Sequence, residues 1–71
     1  MKISDSDSLG YLIKRRRKEL GLTQTYISEF TGLSASFISN VENGKESAEI
    51  GKVIMLLNIL GLDIDIKPRE E

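Results

Sequence analysis

Four glycines divide the chain into short segments, and this division is the strongest constraint on its fold. They are Gly21, Gly32, Gly44, which follows Asn43, and Gly61. Apolar residues recur at helical spacing before Gly21, at Leu9, Leu12, Ile13 and Leu20. A glycine just past the last periodic residue is typical of a helix end. The pattern therefore predicts four helices of modest length.

Polar residues in front of these segments predict where the helices begin. The expected N-terminal caps are Ser6 or Ser8, Thr23, Ser34 and Ser47. The corresponding helices are expected to end near Leu20, Thr31, Asn43 and Leu60. The fourth helix is unusual because eight of the eleven residues from Ile50 to Leu60 are apolar. One small core does not need so wide a stripe, so part of it should meet a second chain or a lid.

The period changes after Gly61. Apolar Leu62, Ile64 and Ile66 alternate with Asp63, Asp65 and Lys67, as in a β-strand, until Pro68. The sequence offers no other strand, and a lone strand leaves its backbone unpaired. We therefore expect it to pair with its copy in a homodimer, and the alternative is a frayed tail. The expected dimer-interface residues are Ile54, Leu57, Leu62, Ile64 and Ile66.

Composition limits the function. The 71 residues include neither Cys nor His. This composition excludes disulfides, removes the usual ligands of a structural zinc site, and removes the usual catalytic base and the best nucleophile. We expect no enzyme and no cofactor. Residues 1–45 carry seven Lys/Arg against five Asp/Glu, a net of +2, and residues 46–71 carry three against six, a net of −3. The longest apolar run is five residues and the N-terminus is polar, so neither a membrane span nor a signal peptide is expected. The absence of Cys fits a reducing compartment, and a cytoplasmic protein is expected.

The stretch from Gly21 to Lys45 indicates the function. It contains two short capped helices that are joined by a turn at Gly32, and a second break follows at Asn43-Gly44. This arrangement is typical of a helix-turn-helix, whose second helix enters the major groove of DNA.

The sequence resembles the Cro/repressor-type (XRE-like) helix-turn-helix family, and within it most resembles the small HipB-type antitoxins. The matching segments are Arg17-Lys18, Gly21–Gln24, Gly32–Ser34, Phe37–Asn40, Glu42–Lys45 and Leu60–Ile66. The resemblance implies an all-α, four-helix repressor-like domain with a C-terminal β-strand that pairs across a homodimer. The expected divisions are a polar lead-in at 1–7, the DNA-binding domain at 8–61, a dimerisation strand at 62–67 and a tail at 68–71.

The resemblance also implies roles for single residues. The positions that reach base edges fall on Ala35, Ser36, Ser39 and Asn40. The positions that contact phosphates fall on Gln24 and Ser34, and Asn43, Lys45 and Arg16 are further candidates. Arg17 is expected to turn inward and pair with Glu42. The alternative to these DNA contacts is that Ser36 and Ser39 are ordinary surface serines and that Gln24 is a solvated side chain.

Three aromatic residues have open roles at this stage. Phe37 is expected to be partly buried and structural. Tyr26 and Phe30 lie four residues apart, so they form either a contact face for a partner protein or a surface pair that stabilises the helix.

The implied function is that of a dimeric DNA-binding repressor, the antitoxin of a HipA-like kinase, which represses its own operon. The expected partners are double-stranded DNA with a pseudo-palindromic operator, a second copy of the chain and the kinase. The alternatives are a stand-alone phage-type repressor and a toxin-neutralising module with weak DNA binding.

Overall fold

The computed structural model describes residues 2–70 and contains four helices in this range. They are α1 (Ser6–Glu19), α2 (Gln24–Thr31), α3 (Ala35–Glu42) and α4 (Ile50–Ile59). The predicted four-helix, all-α fold is confirmed. No strand is assigned between residues 2 and 70, and residues 62–70 have no regular secondary structure. The C-terminal strand therefore stays a prediction.

The two central helices begin and end as predicted. Thr23 caps α2 by accepting a hydrogen bond from the backbone N–H of Tyr26 at 3.0 Å. Ser34 caps α3 in the same way, because its hydroxyl accepts from the N–H of Phe37 at 3.0 Å. Both caps satisfy N–H groups that the first turn of a helix leaves unpaired.

The first helix begins with a different cap from the predicted ones. Asp5 is the N-cap, and its carboxylate accepts from the backbone N–H of Ser8 at 2.7 Å. The Ser8 hydroxyl in turn accepts from the Asp5 N–H at 3.3 Å, which completes a reciprocal capping box. Hydrogen bonding to the Asp5 carboxylate lowers the pKa of this group, chiefly through the Ser8 backbone N–H and secondarily through the Ser8 side chain. Ser6 and Ser8 are therefore helical residues, and the predicted cap was wrong.

The predicted cap of the fourth helix was also wrong. The helix begins at Ile50, Glu49 is the N-cap, and its side chain makes no capping hydrogen bond. Ser47 lies in a turn outside the helix. Ala48, which lies between Ser47 and Glu49, is half-buried and packs against the core. The chain therefore contacts the core before α4 begins.

The core draws residues from all four helices and the turn before α3. Its buried apolar members are Ile13, Ile27, Leu33, Ile38, Val41, Val53, Leu56, Leu57 and Leu60. Phe37 is half-buried and packs against this cluster, as predicted from the sequence.

Helix α1 crosses close to the end of α3 at Gly10. Gly10 is buried, and a Cβ atom built there would lie 2.7 Å from the carbonyl oxygen of Glu42 and collide with that of Val41. Only glycine allows this approach between the two backbones. The crossing fixes α3 against α1 along one side and leaves its other side free.

Candidate nucleic-acid interface

The turn between α2 and α3 is held by a few short contacts. Gly32 ends α2 with a positive φ of 82°, a conformation that glycine adopts without a steric penalty. The Thr31 hydroxyl donates to the carbonyl of Ile27 at 2.7 Å and accepts from the N–H of Leu33 at 3.1 Å. Leu33 is buried in the core. The angle between the two helices is therefore fixed by both hydrogen bonds and packing.

Helix α3 has a buried side and an exposed side. Ile38 and Val41 face the core on one side. The residues predicted to reach DNA bases occupy the other, with Ala35, Ser36 and Asn40 exposed and Ser39 half-buried. The structure thus brings the four predicted base-contact residues to one surface of α3.

The predicted phosphate contacts Ser34, Asn43 and Lys45 are exposed around the two ends of α3. Ser34 immediately precedes the helix, and Asn43 is its C-cap, with a side-chain amide that donates to the Ser39 hydroxyl at 3.4 Å. Lys45 follows two residues later, and its backbone N–H bonds the carbonyl of Asn40 at 3.0 Å. All three flank the surface that the base-contact residues form.

A buried ion pair lies behind this surface. Arg17 Nε is 2.7 Å from Glu42 Oε2, and one of the terminal guanidinium nitrogens is 3.0 Å from Glu42 Oε1. The two residues are only 8% and 7% exposed. The other terminal nitrogen donates to the carbonyl of Leu22 at 2.9 Å. The bond to Glu42 is the main reason why the pKa of Arg17 is raised, against the opposing effect of burial.

Gln24 belongs to the same network. Its side-chain amide donates to Glu42 Oε1 at 3.1 Å, and the residue is half-buried. The predicted role of Gln24 is a phosphate contact, and the bond to Glu42 is an additional contact that the sequence does not reveal. An amide nitrogen carries two hydrogens, so one remains after the bond to Glu42.

The structure places Arg16 at the far end of α4. Its Nε donates to the carbonyl of Leu60, the C-cap of α4, at 2.9 Å. A terminal nitrogen lies 3.7 Å from a carboxylate oxygen of Glu19. The guanidinium thus already satisfies a free carbonyl at a helix terminus, which is a different use from the predicted phosphate contact.

The residues predicted to form a dimer interface divide into two groups. Ile54, Ile64 and Ile66 are exposed, and Ile66 is 89% exposed. Leu62 is half-buried and packs against the core. Leu57 is only 6% exposed and lies inside the core of its own subunit, so it has little surface to offer a partner.

Tyr26 and Phe30 stack on the surface of α2, with ring centroids 6.3 Å apart and an angle of 12° between the ring planes. Both are exposed, and Phe30 is 74% exposed. Together with Leu22, Ile27 and Ile59 they line an open groove between α2 and α4. The contact fits a helix-stabilising pair, and the exposure also fits a partner face.

Two chemical features are missing from the described part of the chain. Across residues 2–70, no cluster of His, Cys, Asp or Glu is arranged to hold a metal ion. In the same residues no helix has the length and apolar character that crossing a bilayer requires.

Comparisons with other proteins agree with the geometry. The sequence matches the helix-turn-helix family over residues 13–67. It is 38% identical over 65 residues to the uncharacterized HTH-type transcriptional regulator y4mF of Sinorhizobium fredii (strain NBRC 101917 / NGR234), a match that covers 92% of this chain and 86% of that protein. It is 32% identical over 62 residues to the ImmF control region 10 kDa protein of Bacillus phage phi105, which covers 87% and 69% of the two chains.

Solved structures share the whole fold. The chain superimposes on HipB in a HipB–O4 20mer complex with a TM-score of 0.88 and 24% identity, over 99% of both chains. A HipA–HipB–O2–O3 complex matches with the same TM-score, identity and coverage. The family match and the relative of 38% identity confirm the family that the motifs predicted, and the solved structures show the same fold. The chain belongs to the Cro/repressor-type (XRE-like) helix-turn-helix family, whose members are DNA-binding transcriptional regulators and not enzymes.

Proposed function

We propose that the chain is a sequence-specific, dimeric repressor and the antitoxin of a HipA-like kinase, and that it represses its own operon. The observation that carries the DNA-binding part is the two-sided α3, with one side fixed in the core and the other bearing exposed polar residues. The similarity to HipB in complexes with O4 20mer and with HipA supports the antitoxin part.

Helix α3 is proposed to read bases with short, uncharged side chains. Asn40 bonds an adenine with two hydrogen bonds, Ser36 and Ser39 bond several bases, and Ala35 contacts a thymine methyl. No Lys or Arg lies between residues 34 and 44. Because this segment has no long cationic side chain to bond guanine, the shape and flexibility of the operator should supply part of the specificity.

The phosphate contacts are proposed to surround α3. Gln24 uses its second amide hydrogen, and Glu42 orients it through the first. The Ser34 hydroxyl accepts its capping bond and keeps its own hydrogen for a phosphate oxygen. Asn43 and Lys45 complete the set. Arg16 joins it only if DNA binding releases the guanidinium from Leu60.

The dimer is proposed to form through α4 and the C-terminal tail. Ile50, Ile54 and Met55 form an exposed apolar surface on α4, and Ile64 and Ile66 extend it beyond Leu62. Burial of this surface against a second copy would place two α3 helices on one side of the particle. A spacing of about 34 Å would let them enter successive major grooves of a pseudo-palindromic operator.

Asn40→Ala and Lys45→Ala are expected to have different effects on DNA binding. Loss of the bidentate contact at Asn40 should cost about 1–3 kcal/mol at its own base pair and relax sequence preference there. Loss of Lys45 should weaken binding to all duplexes alike and reduce the slope of log K against log salt by about two per dimer. The measurement is fluorescence anisotropy with an operator selected from randomised duplexes, over a range of salt concentrations.

Lys14→Ala is the matched control for Lys45→Ala, because it removes the same charge from the exposed side of α1. If Asn40→Ala leaves all operator variants ranked as in the parent protein, the proposed base contacts are wrong. If Lys14→Ala lowers the salt slope as much as Lys45→Ala, the phosphate contact at Lys45 is also wrong.

Truncation after Leu62 is expected to yield monomers. Leu62 is kept because it packs against the core, so the four helices should retain their circular dichroism spectrum. Affinity for a full operator should fall at least about a hundredfold, because two half-sites no longer bind as one unit. Light scattering gives the mass. A truncated chain that stays dimeric would remove the tail from the proposed interface.

A stand-alone phage-type repressor is a second candidate, because the chain is 32% identical to a phage phi105 control-region protein. The two candidates differ in the partner. Co-expression with a HipA-like kinase from the same operon should give a stable complex and reduced kinase activity in the first case. An operon without such a kinase supports the second.

A further inference from the structure

The C-terminal tail leaves the domain from a fixed point. The backbone N–H of Leu62 bonds the carbonyl of Leu57 at 2.9 Å, and Arg16 holds the carbonyl of Leu60. The side chain of Leu62 packs against the core. The direction of this first tail residue is therefore set by the rest of the subunit.

Beyond Leu62, apolar and charged side chains alternate along the tail. In an extended strand successive side chains point to opposite sides, so Ile64 and Ile66 share the side of Leu62. The opposite side then carries only charged residues, Asp63, Asp65, Lys67 and Arg69. Ile64 is half exposed and Ile66 almost fully exposed, so the apolar side is not covered by its own subunit.

The charged side distinguishes the possible alignments of two such tails. In an antiparallel pair, two residues that lie opposite each other point to the same side of the sheet. Residues on one side of a strand are an even number of positions apart, so a twofold axis between identical strands must place one residue opposite its own copy. With Ile64 on the axis, Asp63 faces Asp65 at two places. With Asp65 on the axis, Asp63 faces Lys67 twice, but the Asp65 carboxylate faces its own copy. Like charges directly opposite each other destabilise a strand pair.

A third alignment, with Ile66 on the axis, extends the pairing past the predicted strand end, through Pro68 to Arg69, and gives only favourable charge pairs. Asp65 then faces Lys67 twice, and Asp63 faces Arg69 twice. Pro68 faces Ile64, and since Pro has no N–H, this must be a pair without mutual hydrogen bonds. The Ile66 pair is then of the same type, with Cα atoms about 4.5 Å apart.

We propose an alignment for the two tails of the dimer proposed above: Ile66 lies opposite Ile66, with four cross-strand ion pairs on the outer side. This inference rests on the proposed dimer and specifies its alignment.

Single-cysteine variants measure the alignment directly, because the chain has no cysteine of its own. Ile66→Cys should form a disulfide-linked dimer under mild oxidation, since its Cα separation suits the bond. Ile64→Cys is the matched control. Its two copies would lie four residues apart along the strands, about 14 Å, and should stay unlinked. Non-reducing gel electrophoresis reports the outcome.

Charge reversal tests the ion pairs independently. Lys67→Glu should raise the dimer dissociation constant about tenfold, because two attractive pairs become repulsive. The double variant Asp65→Lys/Lys67→Glu should restore the parent value. Lys14→Glu, which makes the same charge change on α1, should leave the constant unchanged. Sedimentation equilibrium gives all four constants.

Two results would overturn the alignment while the dimer stands. One is cross-linking of Ile64→Cys in place of Ile66→Cys, and the other is failure of the double variant to restore dimerisation. If the parent chain is monomeric in sedimentation and none of the cysteine variants cross-links, the proposed dimer fails, and the alignment fails with it.

Discussion

Replacing Glu42 with alanine is expected to destabilise the domain by about 3–5 kcal/mol, because it leaves the Arg17 guanidinium buried without its counter-charge. Gln24 would lose its acceptor as well. A domain of 71 residues has a free energy of unfolding of about 4–10 kcal/mol, so most of the stability would be lost. Urea denaturation followed by circular dichroism at the helix band measures the change.

Glu19→Ala is the matched control for this prediction. Glu19 also faces arginines, at 3.6 Å and 3.7 Å, but its side chain is half exposed. Exposed ion pairs contribute about 0–1 kcal/mol, so the same truncation should cost little. A double variant, Arg17→Met/Glu42→Leu, should recover much of the lost stability, because neither charge is then buried alone. Equal costs for Glu42→Ala and Glu19→Ala would contradict the argument.

Gly10→Ala is expected to cost about 3 kcal/mol, the upper end of the usual range for an overfilled site. The added methyl would collide with the carbonyls of Val41 and Glu42, and backbone oxygens at a helix end cannot rotate away as a side chain can. Helix α1 would have to move away from α3. Thermal unfolding of the variant, followed by circular dichroism, measures the loss.

Gly51→Ala provides the comparison for Gly10→Ala. It is the same substitution in α4, where nothing lies within 4 Å of the added atom. Alanine is the better helix former by about 1 kcal/mol, so this variant should be neutral or slightly more stable. If Gly10→Ala is equally harmless, the close approach of α1 and α3 is not a constraint on the sequence.

Local signals in the sequence predicted the central helices well. Thr23 and Ser34 each precede a short helical segment that a glycine ends, and there the caps and bounds agree with the structure. The ends of the chain were harder because several candidates compete. Asp5, Ser6 and Ser8 can all cap α1, and the reciprocal bonds of the capping box select Asp5. At α4, burial of Ala48 moves the start of the helix past Ser47.

Contacts between distant residues could not be predicted from spacing. The partner of Gln24 lies 18 residues away, and that of Arg16 lies 44 residues away. Periodicity also could not divide the apolar residues of α4 between the core and a partner, because they cover most of the helix surface. Leu57 was assigned to the dimer interface, yet it is buried in its own subunit, whereas Ile54 is exposed. The proposed DNA contacts follow from the resemblance and stay predictions.

The separation of the two sides of α3 has a consequence for the evolution of this regulator. Support for the helix comes from Gly10, Arg17 and Glu42, none of which is among the residues proposed to touch bases. Ala35, Ser36 and Asn40 are exposed and lie outside the core. Substitutions there should carry little folding cost, so the proposed base contacts can change while the scaffold stays unchanged.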